Sequence, residues 1–360
     1  MKILYAIQGT GNGHISRARD IIPILKKNHE VDILISGTQA DVELPYPVKY
    51  KYNGLGFVFG KKGGIDLLET FKRSNLEVFF LEINCLPVQT YDLIINDFEP
   101  ISAWACYQKN KKCIGLSHQN AVLNKNAPQP KHTDLIGKAV LKKYAPTTIQ
   151  YGFHFKPYDN NIFSPVIRQE VREQAVTSRG HYTVYLPAYN DKRITKVLKQ
   201  CNNVNWEAFS KHNKKALKEK NISIYPINNK DFIKSMATSE GVLCGAGFET
   251  PAEALFMRKK LLVIPMKGQF EQQCNAAALK EMGVPVIKSL KLKQLKKIKN
   301  WLATSTKIEV DYPNNTEMII DKLLSEHLAE KQSEEINPGK KVYSVSKFRK
   351  VVLKKIAANF

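Results

Sequence analysis

Short apolar runs alternate with segments of helical periodicity from the start of the chain. The first run covers residues 2–7 and the second covers 31–37, and a helical pattern at 15–25 lies between them. Apolar runs of this length, with few polar interruptions, predict strands that are buried on both faces, as in parallel sheets. A strand, a crossover helix and a parallel strand form a βαβ unit, so we predict an α/β fold.

The same alternation restarts after a polar stretch at about residues 165–180. Apolar runs at 182–187, 222–226 and 260–265 predict further strands, with helical patterns between them. Two α/β regions of similar length indicate two domains. We therefore divide the chain into an N-terminal domain, a C-terminal domain and a basic amphipathic tail, at residues 1–165, 166–330 and 331–360.

A glycine turn, LCGAGFETPAEAL at residues 243–255, stands between an apolar run and a new helical pattern. Gly245 and Gly247 permit positive φ angles and lack the Cβ atoms that would keep a ligand away from the backbone. Thr250 is predicted to cap the helix, and Glu253, three residues later, completes a capping box. The N–H groups of a helix N-terminus favour anions, so this turn predicts a phosphate or diphosphate site.

A second glycine-rich loop, GTGNGH at residues 9–14, follows the first apolar run and ends in His14. Its glycine spacing matches neither the dinucleotide-binding pattern nor the phosphate-binding P-loop. His14 is a candidate general base, because imidazole takes up a proton near neutral pH, and the alternative is a structural role at the helix start. Asp97 and His118 follow two later strands at their carboxyl ends, where open parallel sheets bind ligands.

The composition adds a strong positive charge. The 360 residues include 55 Lys and Arg against 33 Asp and Glu, a formal net charge of +22. This charge indicates either a solvated Lys-rich surface or attraction to an anionic membrane surface or nucleic acid. The basic segment at 347–356 suits a membrane interface, and the alternative is a terminal helix docked on the body of the protein. No apolar run reaches the roughly 18–20 residues of a membrane span, and the N-terminal run is interpreted as a core strand rather than a signal peptide.

The six cysteines are scattered and form no CxxC pair. This distribution argues against a zinc site and against a disulfide framework. A reduced, cytoplasmic compartment is the simplest expectation.

Three motifs resemble those of GT-B glycosyltransferases. They are the Gly-His loop at 9–14, the Gly-x-x-Thr-x-x-Glu segment at 247–253, and a proline-ended strand with polar residues after it at 265–276. Over about residues 1–330 the chain is similar to the family that contains the lipid II-forming N-acetylglucosaminyltransferase of peptidoglycan synthesis, a family 28-like pattern. The resemblance implies GT-B architecture, with two Rossmann-like parallel-sheet domains that face each other across a cleft.

The resemblance also implies roles for individual residues. His14 is implied as the base, Asp97 as a second candidate for that role, and Glu253 as the residue that accepts hydrogen bonds from ribose. The implied donor-binding residues are Gly245, Ala246, Gly247, Phe248, Glu249, Thr250, Glu253, Glu271, Gln272 and Asn275. The implied acceptor-side residues are Gly11, Asn12, Gly13 and His118, with Asp97 and His118 as groups that orient the acceptor.

The implied reaction moves a sugar from a nucleotide diphosphate sugar to a lipid-linked or saccharide hydroxyl, with inversion and without a metal or other cofactor. Uridine is the base that the resemblance favours. The alternatives are a nucleotide-sugar epimerase of the same fold, a basic nucleic-acid-binding protein, and a non-catalytic nucleotide-sugar-binding protein. The expected location is the cytoplasm, with a peripheral position on the inner face of the plasma membrane.

Overall fold

The computed structural model of the chain describes residues 1–37, 44–55, 76–131 and 134–329. The predicted tail at 331–360 lies outside the described residues. Within them, two α/β halves follow each other along the chain, and each is built around one sheet.

Seven parallel strands form the sheet of the N-terminal half. They are β1 (Lys2–Gln8), β2 (Glu30–Ser36), β3 (Tyr50–Tyr52), β4 (Leu93–Asp97), β5 (Ile114–Leu116), β6 (Ile149–Phe153) and β7 (Ile162–Phe163). Their order across the sheet is β3-β2-β1-β4-β5-β6-β7, and all neighbouring pairs are parallel. The order reverses between β1 and β4, and such a switch point is where open α/β sheets bind ligands.

Six strands form the sheet of the C-terminal half. They are β8 (His181–Tyr185), β9 (Asn205–Ser210), β10 (Leu217–Glu219), β11 (Ile222–Pro226), β12 (Gly241–Gly245) and β13 (Lys260–Ile264). Their order is β10-β11-β9-β8-β12-β13, and only the β10–β11 pair is antiparallel. The switch point of this sheet lies between β8 and β12, so the glycine turn after β12 leaves the sheet at its ligand-binding edge.

Helices cover the faces of both sheets. They are α1 (Asn12–Lys26), α2 (Leu76–Cys85), α3 (Pro100–Gln108), α4 (His118–Leu123), α5 (Leu135–Tyr144), α6 (Gln169–Arg172), α7 (Asp191–Leu198), α8 (Asn229–Thr238), α9 (Glu249–Phe256), α10 (Phe270–Glu281), α11 (Leu295–Ala303) and α12 (Thr316–Ala329), with short 3-10 helices at Val88–Thr90 and Leu292–Gln294. In the part of the chain that the structure describes, no helix has both the length and the apolar character that crossing a membrane requires.

The apolar runs that predicted strands form the buried centre of each sheet. In β1, the residues from Ile3 to Ile7 have no exposed surface, and every residue of β13 is buried. Strands that are covered on both faces are mostly apolar along their whole length, which explains the nearly continuous runs. The prediction of an α/β fold with two parallel sheets is confirmed.

The last described helix, α12, returns to the N-terminal half of the protein. It packs against α1, where Lys27 and Glu317 form an ion pair at 2.5 Å. The same helix also contacts β6, where the Tyr151 hydroxyl lies 3.0 Å from His327 Nε2. The chain therefore passes between the halves twice, once after β7 and once before α12. The predicted domain boundaries at 165 and 330 remain predictions.

Candidate active site

A cleft of about 770 Å³ lies at the carboxyl ends of the strands of both halves. The loops and helix starts after β1, β8, β9, β11, β12 and β13 contribute its walls. The sequence-predicted residues that line it are Gly11, Asn12, Gly13, Gly247, Phe248, Glu249, Thr250, Glu253 and Gln272. The position and volume of the cleft are those of a substrate site in an open α/β protein.

Helix α9 begins at Glu249, in the wall of the cleft. Phe248 holds the cap position and none of the described side chains caps the helix, so the prediction of Thr250 as N-cap was wrong. Thr250 already lies inside the first turn because the helix begins two residues earlier than the motif indicated. Neither Gly245 nor Gly247 uses the positive φ angle that glycine permits. A Cβ on Gly247 would meet no atom within 4 Å, so this glycine keeps open space beside the helix start.

Glu253 forms a bidentate ion pair with Arg168, a residue of the linker between the two sheets. Arg168 Nε donates to Glu253 Oε1 at 2.5 Å, and Nη2 donates to Oε2 at 2.8 Å. The remaining nitrogen, Nη1, donates to Asn229 at 2.7 Å. The capping-box prediction for Glu253 was therefore wrong, because its carboxylate is held by a cation. Each carboxylate oxygen can accept a further hydrogen bond, so Glu253 keeps acceptor capacity toward the cleft that it lines.

His14 and Asp97, the two predicted catalytic residues, are in direct contact. His14 lies in the first turn of α1, and its Nδ1 is 2.8 Å from Asp97 Oδ1. A carboxylate only accepts, so Nδ1 carries the ring proton and Nε2 carries the lone pair of the neutral ring. The side chain of His14 is 11% exposed, whereas that of Asp97 is fully buried.

Arg17 joins this pair from the same face of α1, one turn after His14. Its Nη2 donates to Asp97 Oδ1 at 2.7 Å, and its Nε donates to Oδ2 at 3.2 Å. Its Nη1 donates to Glu249 Oε1 at 2.7 Å, across the interface between the halves. The sequence analysis missed Arg17, although its spacing of three from His14 places both residues on one helix face.

The charges of this cluster keep Asp97 ionised. Burial raises the pKa of Asp97, but the Arg17 guanidinium and the contact with His14 outweigh it and hold the pKa below its usual value. Burial lowers the pKa of Arg17, and Asp97 and Glu249 raise it by more, so the guanidinium stays charged. An anion on Nδ1 stabilises a proton taken up at Nε2, which is the arrangement that a general base needs.

Three predicted site residues lie in the interior of the interface rather than in the cleft wall. His118 is 1% exposed, with Nδ1 donating to the Phe153 carbonyl and Nε2 lying 2.8 Å from Asn275 Oδ1. Its ring stacks on Phe248 with centroids 3.8 Å apart, and burial lowers its pKa. Asn275 donates to the Ala246 carbonyl at 3.1 Å. These contacts hold the halves together, and the predicted substrate contacts of His118, Ala246 and Asn275 remain predictions.

Gln119 connects the predicted base with a predicted sugar-side residue. Its Nε2 donates to Glu271 Oε2 at 3.1 Å and lies 3.4 Å from His14 Nε2. Gln272 lines the cleft, and its Oε1 accepts from the Met266 backbone N–H at 2.9 Å. The start of α10 thus brings one polar side chain into the cleft and a second one close to the base.

Arg168 and Gln119 carried no signal in the sequence. Their partners Glu253 and Glu271 lie 85 and 152 positions away, and neither residue belongs to a motif. Within the described residues, no group of three or more His, Cys, Asp or Glu side chains is arranged to hold a metal ion.

Two parallel-sheet α/β halves with a cleft at the carboxyl ends of both sheets define the GT-B class of glycosyltransferases. MurG from Acinetobacter baumannii has this fold at 14% identity and a TM-score of 0.56, with 90% of this chain and 99% of that chain covered. SnogD from Streptomyces nogalater follows at 12% identity and 0.50, with 90% and 99% covered. The spinosyn rhamnosyltransferase SpnG, complexed with thymidine diphosphate, matches at 12% identity and 0.51, with 91% and 96% covered.

The profile of glycosyl transferase family 1 matches residues 1–62 and 69–304. The chain therefore belongs to glycosyl transferase family 1, and the protein is a glycosyltransferase with a nucleotide-sugar donor and an acceptor substrate. This assignment replaces the epimerase, nucleic-acid-binding and non-catalytic alternatives. None of the curated protein sequences matches the chain.

Proposed function

We propose that the protein transfers a sugar from a nucleotide diphosphate sugar with inversion at the anomeric carbon. The observation that carries the proposal is the His14–Asp97 pair, in which Nδ1 and Oδ1 lie 2.8 Å apart. His14 directly follows Gly13 of the glycine loop that lines the cleft. Helix α9 presents its N-terminus to that cleft, so the proposed base adjoins the proposed anion site.

In the proposed reaction, the acceptor hydroxyl oxygen attacks the anomeric carbon while its proton moves to His14 Nε2. The bond from that carbon to the diphosphate oxygen breaks, and the nucleotide diphosphate leaves with the electron pair. A single displacement of this kind inverts the anomeric configuration. Asp97 fixes the Nδ1–H tautomer and stabilises the imidazolium that forms. Both Asp97 oxygens are held by Arg17, which favours an orienting role for Asp97 over a role as the base.

The donor diphosphate is proposed to bind at the N-terminus of α9, beside the open space at Gly247. The N–H groups and the dipole of the helix stabilise the charge that develops on the leaving group, so the proposal requires no metal. Glu253 is proposed to accept from ribose hydroxyls, and Glu271 and Gln272 to contact the transferred sugar.

Two nucleotides are reasonable donors. The motif resemblance favours uridine, and the structure of SpnG contains thymidine diphosphate. The acceptor is proposed to be a lipid-linked or saccharide hydroxyl. Both kinds of acceptor provide a hydroxyl group, and the proposed reaction requires only that its proton can move to His14.

A thermal-shift screen tests the donor site. UDP and dTDP, with and without an attached sugar, are compared on the wild type in buffer that contains EDTA. A ligand at about 100 times its Kd stabilises the fold by about 2.7 kcal/mol, which corresponds to a rise in Tm of about 4 °C. We expect such a rise for one of the nucleotides, and its loss in Glu253→Ala.

The matched control is Glu309→Ala, an exposed carboxylate that does not line the cleft. It should retain the full shift. No shift with any nucleotide would contradict the proposed donor site, a shift that needs Mg²⁺ would contradict its metal independence, and an unchanged shift in Glu253→Ala would remove Glu253 from it.

We further propose that the protein associates with an anionic membrane surface. Residues 288–299 include six exposed lysines and no acidic residue: Lys288, Lys291, Lys293, Lys296, Lys297 and Lys299. The exposed Leu292 lies among them. Lys291 and Leu292 line a surface groove together with Lys192 and Lys196 of α7. Clustered lysines with an exposed apolar side chain suit a negatively charged lipid surface.

A further inference from the structure

Arg17 connects the two halves of the protein with a single buried side chain. It is 3% exposed, and its guanidinium lies 5.5 Å from the ring centroid of Phe153. Two of its nitrogens hold Asp97 in the N-terminal half, and the third holds Glu249 in the C-terminal half. A rigid, planar group with donors at both ends is suited to such a double contact.

Glu249 stands at the place where the proposed diphosphate binds. It is the first residue of α9, it lines the cleft, and its side chain is 28% exposed. A carboxylate beside a diphosphate is repulsive, so an uncompensated Glu249 would weaken donor binding. The 2.7 Å ion pair with Arg17 supplies the compensating charge.

The glycine loop is shaped around this carboxylate. A Cβ on Gly13 would lie 2.5 Å from Glu249 Oε2, so the Glu249 carboxylate occupies the space that a side chain at position 13 would take. The backbone that leads directly into His14 therefore packs against the Glu249 end of the ion pair.

At its other end, Arg17 determines the orientation of Asp97. With Nη2 on Oδ1 and Nε on Oδ2, the carboxylate is held in one plane, and Oδ1 faces His14 Nδ1. A charged, forked contact of this kind restricts the carboxylate more strongly than a single hydrogen bond would.

We propose that Arg17 is a positioning residue that neutralises Glu249 at the diphosphate end of the cleft and holds Asp97 on His14. The inference rests on the proposed function, because it assigns one end of Arg17 to donor binding and the other to the base. Loss of Arg17 then lowers both nucleotide affinity and turnover, which can be measured separately. Removal of the Glu249 charge in the same variant restores nucleotide affinity but not turnover.

The test compares wild type, Arg17→Met, Glu249→Gln and the double variant Arg17→Met/Glu249→Gln. UDP, or dTDP if the wild type selects it, is titrated by calorimetry, and release of nucleotide diphosphate from its sugar nucleotide measures turnover. We expect Arg17→Met to weaken nucleotide affinity about tenfold. The double variant should return to within about threefold of wild-type affinity, while its turnover stays at least about tenfold low, because Asp97 is still unsupported.

Arg17→Lys covers the case in which Arg17→Met does not fold. A lysine retains the positive charge but not the fork. Arg17→Lys should therefore bind nucleotide within about threefold of the wild-type affinity, and its turnover should be about tenfold lower than that of the wild type. Arg193→Met is the matched control, because Arg193 donates to the Leu290 carbonyl and contacts neither Asp97 nor Glu249 in the structure.

Two results would overturn the inference while leaving the proposed function intact. One is wild-type nucleotide affinity and turnover in a folded Arg17→Met. The other is a double variant that binds nucleotide as weakly as Arg17→Met, which would make Arg17 a purely structural residue. A wild type that binds neither nucleotide would instead overturn the proposed function, and this inference with it.

Discussion

His14 and Asp97 lie 83 positions apart in the chain and form one unit in the fold. The carboxylate accepts from Nδ1, so the lone pair of the neutral imidazole is at Nε2. Because the pKa of Asp97 is lowered, its ionised form stabilises the fold at neutral pH. That contribution is complete above the usual aspartate pKa of about 3.9 and is lost as the pH falls below it.

Substitution of either member of this pair should affect turnover and spare nucleotide binding. We expect His14→Gln and Asp97→Asn to lower turnover by about 10²–10⁴-fold, the usual contribution of a general base. Nucleotide affinity should stay within about threefold, since neither side chain contacts the start of α9. Nucleotide release from the sugar nucleotide and calorimetric titration provide the two measurements.

His29→Gln is the control for this pair, because His29 lies beyond the end of α1 and does not line the cleft. It should leave turnover within about twofold of wild type. A His14→Gln protein that turns over at the wild-type rate would remove His14 as the base and direct attention to another acceptor-side group.

At the level of residues, the sequence predicted which positions line the cleft more reliably than which side chains they contact. Glu253 was predicted at the donor helix and lines the cleft there, but its expected backbone partner is replaced by Arg168. A capping box is a local pattern, whereas the arginine comes from a distant linker. Arg17 was accessible to local reasoning, because it shares a helix face with His14, but its two partners lie in a strand of one half and a helix of the other.

At the level of elements, the predictable strands are those that are buried on both sides. β1, β8 and β13 follow from runs of mostly apolar residues, because few polar side chains are tolerated between two covering layers. The edge strand β10 is exposed along its length and therefore has no apolar pattern. The short strand β7, of two residues, is likewise below the length that periodicity can identify.

The starts of helices were predicted well where a glycine turn precedes the helix. The elements against which the helices pack were not predicted. α1 and α9 begin within three residues of the predicted starts. The placement of α12 on α1 did not follow from its own sequence, because an apolar helix face does not indicate which sheet it covers. Contacts of this kind depend on the path of the whole chain.

On the scale of the whole molecule, part of the positive charge is concentrated in one exposed segment. The exposed lysines of 288–299 lie in the C-terminal half, and we expect them to contribute to binding of anionic vesicles. Lys293→Ser/Lys296→Ser should weaken co-sedimentation with phosphatidylserine-containing vesicles about tenfold or more, at about 1 kcal/mol for each lysine near the surface. Deletion of residues 338–360 should release the protein further if the predicted tail is an anchor.

The control for charge alone is Lys142→Ser/Lys143→Ser, which removes two exposed lysines from the N-terminal half. It should bind vesicles like the wild type. Equal losses in both lysine pairs would indicate a general charge effect rather than a defined surface, and full binding after the deletion would show that the tail is not the anchor.

The central claim is a single displacement with His14 as the base, and the configuration of the product tests it most directly. Proton NMR would follow the anomer that first appears from UDP-α-D-glucose or UDP-N-acetyl-α-D-glucosamine, with water or a sugar alcohol as acceptor, before mutarotation. The account predicts the β anomer from wild type and its loss in His14→Gln. An α product would contradict the single displacement, and a β product that forms at full rate without His14 would contradict the role of the base.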